Sequence, residues 1–293
     1  MKNRVVGIIG ASGWLGGHLC RALMQRGWEV TGFSRSKRDD RGISWRQWGG
    51  EGAIDLEGLD AVVNLAGEAI DQRWTDARKV VLRESRVDLT KALSVSIRES
   101  EVKVLLNASA IGFYGDRGDE KLRESASVGE GYMARLCLDW EDAIEVPDEV
   151  RTVFLRTGVV LGQGGRAWEK MGKIFKLGIG GRLGSGEQWM PWIHLADEIG
   201  GIVSCLEKEI AGPVNLVAPE SVRNSEFTKA VGKAVRRPTI FPAPAFALKL
   251  ILGDFAEEGL LASTRVVPQV FLDAGFEFQY PTIAEAMAEL VSS

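Results

Sequence analysis

Gly10, Gly13 and Gly16 stand in the stretch Gly10-Ala-Ser-Gly-Trp-Leu-Gly16, directly after the apolar run Val5-Val6-Gly7-Ile8-Ile9 and before a helical pattern over 18–25. Strand, glycine turn and helix start in that order make a pyrophosphate site, because free main-chain N–H groups point out of the helix end and its dipole favours negative charge. Gly10 permits the tight turn, Gly13 lets the backbone approach a phosphate, and Gly16 lets the helix pack on the strand. The candidate cradle is therefore Gly10, Ser12, Gly13, Trp14, Leu15 and Gly16; the alternative is a glycine-rich turn with no ligand. A second strand over 29–33 follows at βαβ distance and ends Phe33-Ser34-Arg35-Ser36, then Lys37 and Arg38. An NAD site usually carries Asp or Glu there, roughly 20 residues past the glycines, to bond the ribose 2′-hydroxyl. No acid fills that slot here. Ser34 and Arg35 instead suit the 2′-phosphate of NADP(H), a preference of roughly tenfold to hundredfold. The competing reading is a solvated basic loop, since Asp39 and Asp40 follow at once.

These residues must be held by a sizeable fold. The 293 residues exceed one average domain and can bury a large core. Apolar strand-like runs near 4–9, 29–33, 60–66, 103–109 and 152–157 alternate with helical patterns near 14–26, 75–99 and 132–146, which predicts an α/β fold. In it, a doubly wound Rossmann-type parallel sheet carries helices on both faces. After Gly158 glycines and tryptophans cluster, a strand-like 213–217 precedes a helix with Asn224 or Ser225 as N-cap, and the tail is punctuated by proline. We read a cofactor-binding domain over 1–165, its sheet completed by about 192–218. A smaller C-terminal substrate lobe makes up most of 166–293, with the ligand cleft between the two.

Composition narrows the function classes. A net charge of −4 without a basic stripe argues against nucleic acid as the partner. No apolar run approaches the roughly 20 residues of a membrane span, so no membrane partner is expected. The first residues faintly resemble a signal peptide, but their apolar run passes straight into the phosphate turn and cleavage would destroy the fold. Three scattered cysteines (Cys20, Cys137, Cys205) and two histidines offer no metal site. Together these predict a reduced, cytoplasmic protein acting on a small molecule.

Asp60-Ala-Val-Val-Asn-Leu-Ala-Gly67 resembles the strand beneath the cofactor in the extended short-chain dehydrogenase/reductase superfamily. More narrowly, Asn64-Leu-Ala-Gly-Glu68, Ser85-Arg86-Val87, Ser109-Ala-Ile-Gly-Phe-Tyr-Gly115, Leu155-Arg-Thr-Gly-Val-Val-Leu-Gly162, Trp192-Ile-His194 and Arg265-Val-Val-Pro268 resemble its atypical epimerase-family branch, the YfcH-like or SulA-like proteins. The resemblance spans nearly the whole chain. It implies that Leu65, Ala66, Gly67 and Glu68 line the cofactor, that Arg86 reaches it from the following helix, and that Val160 lies by the nicotinamide. Simple core packing is the other reading of Leu65, Ala66 and Val160.

Ordinary members of that superfamily move a proton with Ser, Tyr and Lys, the last two spaced Tyr-x-x-x-Lys, the lysine lowering the tyrosine pKa. In Gly131-Tyr-Met-Ala-Arg-Leu-Cys-Leu-Asp-Trp-Glu141, keeping Tyr132 puts Leu136 in the lysine slot, and anchoring on Glu141 puts Met133 and Cys137 in the two slots. Neither register yields the dyad. Counting back from Tyr114 puts Ala110 in the usual serine position, with Ser109 beside it. The residual candidates are Ser109, Tyr114, Tyr132 and Cys137, in a pocket also reached by Glu68 and Trp74. Each has a plainer reading: Tyr114 as a packed phenol, Cys137 as a small core residue, Ser109 bonded to local backbone. His194 reads as fastening a turn, with Asp197 as N-cap of a helix over 198–206.

The leading functional expectation is an NADP(H)-dependent oxidoreductase on a small carbonyl or alcohol. A non-catalytic NADPH-binding sensor or scaffold is the alternative, and the cell-division label of some relatives is a weak pointer to it. A sugar-nucleotide epimerase or dehydratase comes last, since it needs the acid–base pair that is missing. The oligomeric state is left open.

Overall fold

The apolar runs of the first half are nearly continuous rather than alternating, which suits strands covered on both faces. The structure, a computed structural model, describes residues 4–40, 42–49 and 52–292, so the outer limits of the expected domains, 1 and 293, lie outside the described residues. Seven parallel strands form the central sheet in the order β3 (Ser44–Gln47), β2 (Glu29–Ser34), β1 (Val5–Ile9), β4 (Ala61–Asn64), β5 (Val104–Ala110), β7 (Arg151–Thr157) and β10 (Gly212–Leu216). Chain order runs outward in opposite directions from β1 and β4. The crevice beyond their carboxyl ends is therefore the topological switch point, where open α/β sheets bind ligands.

Helices cover both faces. α1 (Trp14–Gln25) and α6 (Leu195–Glu207) bury Leu19, Leu23, Ile202 and Leu206 against one face of the sheet. α2 (Asp76–Arg83) and α3 (Leu89–Arg98) are joined by a π turn, Glu84–Asp88; α3 packs Leu93 and Ile97 on the other face. α4 (Tyr132–Asp142) lies beside β5, and its Met133, Leu136, Cys137 and Trp140 are buried. Burying each Leu side chain contributes about 1.5–3 kcal/mol, so these stripes fix the layers. Past the sheet, α5 (Arg166–Lys176), α7 (Asn224–Ala234) and α10 (Ile283–Ser292) enclose a separate core of Trp168, Phe175, Phe227, Val231 and Met287. Two short parallel pairs stitch the parts together: β8 (Val159–Leu161) with β9 (Trp192–His194), and β6 (Lys121–Leu122) with β11 (Arg265–Val266). α8 (Ala245–Leu252) and α9 (Gln269–Asp273) complete the C-terminal part.

Three local expectations need correction. β3 was not foreseen; it is a four-residue edge strand that carries only two half-buried residues and so leaves almost no periodic signal. The helix after β9 begins at Leu195, not 198, with His194 as N-cap: its Nδ1 accepts from the Ala196 N–H at 3.2 Å, and its Nε2 meets Glu289 Oε2 at 3.1 Å. Asp197 is not the cap, because its carboxylate accepts from the Gln279 and Tyr280 N–H groups and so anchors the tail. The helix expected to start with Asn224 or Ser225 as cap has Arg223 there, and Glu226 reaches back to the Arg223 N–H at 2.7 Å.

Candidate cofactor site and its neighbourhood

The turn after β1 depends on the absence of side chains. Gly10 has φ +89°, and a Cβ there would lie 3.0 Å from the Leu65 carbonyl carbon, so the two strand ends could not approach as they do. A Cβ on Gly16 would sit 2.2 Å from the Gly10 oxygen, forcing α1 off the turn. Gly13 is the N-cap of α1 and supplies no side-chain cap; the first turn also carries no acid. The N–H groups at that helix end are therefore left for a ligand, with the positive end of the dipole behind them.

That end faces a cavity of about 700 Å³. The structure brings Gly10, Ser12, Gly13, Ser34, Arg35, Leu65, Ala66, Gly67 and Glu68 together around it, with Arg38, Trp48, Gly49, Glu84 and Ser85 as further lining. Asn64 sets the path of the 65–68 strip: its Oδ1 accepts from the Ala66 N–H at 3.1 Å, while its Nδ2 donates to Asn107 at 2.7 Å. At the cavity's other end, Arg38 is bonded twice to Asp40 and lies over the Trp45 ring. Arg35 is exposed, and among the described residues its guanidinium has no ion-pair or hydrogen-bond partner. A dinucleotide fits this donor set: an uncapped helix end for the diphosphate and an uncommitted cation at the tip of β2.

The other expected cofactor residues lie behind or beside the cavity. Trp14 packs on the loop at Gly162, Gly164 and Gly165 and donates to the Gln163 carbonyl at 2.9 Å, closing one flank. Leu15 packs into the sheet core. Arg86 projects from the π turn, donates to the Glu68 carbonyl at 2.9 Å and lies 5.2 Å from the Trp140 ring. Its guanidinium passes where a Cβ on Gly67 would be 3.3 Å away, and burial pulls its pKa below the usual arginine value. Val160 is half-buried in β8, paired with Ile193.

None of the four candidate proton-transfer residues lines the cavity. Ser109 donates to Glu141 Oε1 at 2.6 Å. Glu141 is held by both Arg156 Nε (2.8 Å) and Nη2 (2.7 Å), in a fork whose two side chains are each less than a tenth exposed. Arg156 Nη1 donates to the Tyr114 hydroxyl at 3.0 Å, and Tyr114 donates onward to Asn215 Oδ1 at 2.7 Å. Burial opposes the Arg156 charge, but Glu141 and Tyr114 together more than reverse this and raise its pKa; burial raises that of Tyr114, only partly offset by Arg156 and Asn215. Because Glu141 faces the sheet, the helix register places Met133 and Cys137 on the same buried face, two turns and one turn earlier respectively. Burial, then the Glu141 charge, pushes the Cys137 thiol up to about 12, so it is not a nucleophile at neutral pH. Tyr132 points the other way, donating to the Lys79 carbonyl at 2.9 Å beneath Trp74, and burial raises its pKa too.

The sequence reading missed Glu141 and Arg156 as partners, and it missed Glu258. Glu258 comes from a second π turn, Ala256–Leu261, and accepts from the N–H groups of Tyr132 (3.1 Å) and Met133 (2.7 Å), capping α4 from the C-terminal part. Gly131 at that N-cap, φ +100°, leaves room for the carboxylate.

Comparison with known proteins agrees with this architecture. Residues 6–217 match the NAD dependent epimerase/dehydratase family, and residues 243–290 match a domain of unknown function (DUF1731). Epimerase family protein Mb2239 of Mycobacterium bovis is 41% identical over 98% of this chain and 97% of its own. Human epimerase family protein SDR39U1 is 34% identical, covering 97% of this chain and 98% of its own. The crystal structure of human SDR39U1 (isoform2) with NADPH superposes with a TM-score of 0.92 at 32% identity, over 99% of both chains. Among the described residues, no helix is long and apolar enough to cross a membrane. With the sheet order, the glycine turn and end-to-end similarity in agreement, the chain belongs to the NAD dependent epimerase/dehydratase family, in its atypical extended short-chain dehydrogenase/reductase branch, and carries that family's nicotinamide-dinucleotide-binding fold.

Proposed function

We propose that this protein binds NADP(H) and acts as an oxidoreductase on a small carbonyl or alcohol. One observation carries the cofactor half of the reading: the tip of β2 offers the uncommitted Arg35 and no carboxylate, beside the uncapped end of α1. A phosphate on the adenosine ribose meets a charge-assisted donor there, and a bare hydroxyl does not. The NADPH in the human relative's structure supports the same choice. Bound NADP(H) supplies hydride transfer; the chain's residues supply the rest. Gly10, Ser12, Gly13, Trp14, Leu15 and Gly16 hold the diphosphate, Ser34 and Arg35 the ribose phosphate, Leu65–Gly67 with Glu68 and Arg86 the path between, and Val160 the nicotinamide end. Three buried cysteines, none in a disulfide, suit a reducing compartment such as the cytoplasm.

The proton side favours a second reading. Ser109 and Tyr114 are bonded to Glu141, Arg156 and Asn215, Tyr132 to a main-chain carbonyl, and Cys137 is locked in thiol form. A protein that binds NADPH as a signal or scaffold needs none of these groups. Arg35→Ala separates true selectivity from a solvated loop: NADPH affinity falls roughly tenfold to hundredfold while NADH affinity holds. Equal affinities before and after overturn the selectivity argument. Single-turnover oxidation of bound NADPH against aldehydes, ketones and quinones then separates the enzyme from the sensor, which stays silent with affinity intact.

A further inference from the structure

α8 reads Ala-Phe-Ala-Leu-Lys-Leu-Ile-Leu, apolar at every position but Lys249, yet none of its eight residues is buried. A helix of that composition is normally enclosed by protein or by lipid. It does not stand alone. The strip after α5 runs beside the strip before α8, joined by Arg237 Nε to the Lys176 carbonyl (3.1 Å), Ala243 N–H to the Arg182 carbonyl (2.8 Å) and Gly184 N–H to the Ala243 carbonyl (2.8 Å). Leu177, Ile179, Ile240, Phe241, Phe246 and Leu250 are 57–76% exposed on these joined segments. Scattered single apolar residues need no explanation, but a set of six large ones on adjoining segments marks a contact surface.

The charges around it are mostly positive, although Glu257 pairs with Lys249 at 3.2 Å and Asp254 follows the helix. Stretches 170–186 and 227–253 contain nine Lys and Arg and no Asp or Glu, in a chain whose net charge is −4. Lys173, Lys176, Arg182, Arg236 and Arg237 are exposed beside the apolar residues. An isologous contact between two copies would set this cationic rim against itself, which costs affinity. An anionic bilayer surface satisfies both features, taking apolar side chains into the headgroup boundary and cations against the phosphates. We infer that this face, α8 with the 177–182 and 236–243 strips, is a docking surface for anionic lipid headgroups, holding the protein on a membrane without spanning it. The expectation of no membrane partner rested on run length, which speaks only to spanning. This inference does not depend on the NADP(H) reading.

Flotation of the whole protein with vesicles of phosphatidylcholine containing roughly one-third phosphatidylglycerol, against phosphatidylcholine alone, tests it. The expected result is binding to the anionic vesicles that weakens steeply with salt. Phe246→Glu with Leu250→Glu lowers it roughly tenfold or more, as does Arg236→Glu with Arg237→Glu. Both pairs are exposed, and unchanged melting temperature and NADPH affinity show that the variants fold. Failure of the wild-type protein to float with anionic vesicles overturns the proposal, as does binding that both double variants leave unchanged. So does a concentration-dependent dimer in sedimentation velocity that Phe246→Glu abolishes, because that outcome assigns the face to a second copy.

Discussion

At the carboxyl end of β1 the uncapped first-turn N–H groups of α1 are left at a cavity of about 700 Å³, whereas at the ends of β5 and β7 the Ser109 and Tyr114 hydroxyls are already bonded to Glu141 and Asn215. Both regions sit at the same edge of one sheet, where the fold places ligands. The first leaves donors open and rigid; the second closes its polar groups on one another. The contrast teaches that one sheet edge can hold an open set of donors beside a set already satisfied within the fold. The turn after β1 keeps main-chain donors open by backbone geometry, while the hydroxyls at the ends of β5 and β7 belong to an internal network around the buried Glu141–Arg156 pair.

Breaking the closed region has the largest expected effect. Glu141→Ala strands Arg156 without its counter-charge, and leaving one buried ion unpaired costs about 3–5 kcal/mol, read from urea unfolding. Cofactor affinity, measured where the variant is still folded, should hold. The comparison breaks if Glu141→Gln keeps most of the stability but abolishes turnover, for then the network is chemical rather than structural. Gly16→Ala tests the open region. Its Cβ meets the Gly10 oxygen at 2.2 Å, so α1 must shift and calorimetry should show NADPH affinity down by roughly a hundredfold, about 2.7 kcal/mol. Unchanged affinity would mean the cradle is not made by that turn.

A finer probe is Glu198 of α6, fully buried against the end of β7, with Oε1 accepting from the Thr157 hydroxyl and Oε2 without a partner among the described residues. Burial, only partly countered by Thr157, pushes its pKa from 4.5 to about 8. The unfolded chain releases this proton near the ordinary value while the folded chain keeps it. Between those values the folded state therefore binds more protons, and stability falls as pH rises, by at most about 1.4 kcal/mol per pH unit, levelling above the folded value. Asp197, also raised by burial, adds a slope of the same sign. Glu198→Gln should flatten that part of the curve in urea titrations across the window; an unaltered slope would show that Glu198 is ionised in the fold.

Much of the cradle was legible because it is local. The glycine spacing, the apolar runs and the absence of an acid after Phe33 act within a few residues through backbone stereochemistry and period, and the sheet and its cleft follow from them. β3 was not legible, since a short half-exposed edge strand has no pattern, and Trp48 and Gly49 entered the cavity wall unannounced with it. The missing Tyr–Lys pair could be read as an absence, but not what stands in its place.

From its own residues the chain determined the dinucleotide fold, the uncapped end of α1 and the cation at the tip of β2, because each is set by neighbours in sequence. Only the tertiary structure decided that Tyr114 meets Asn215, 101 residues away, that Glu258 caps α4 from 125 residues beyond Met133, and that α8 is left uncovered. Those outcomes depend on which distant surfaces pack together, and neither residue type nor spacing carries that information.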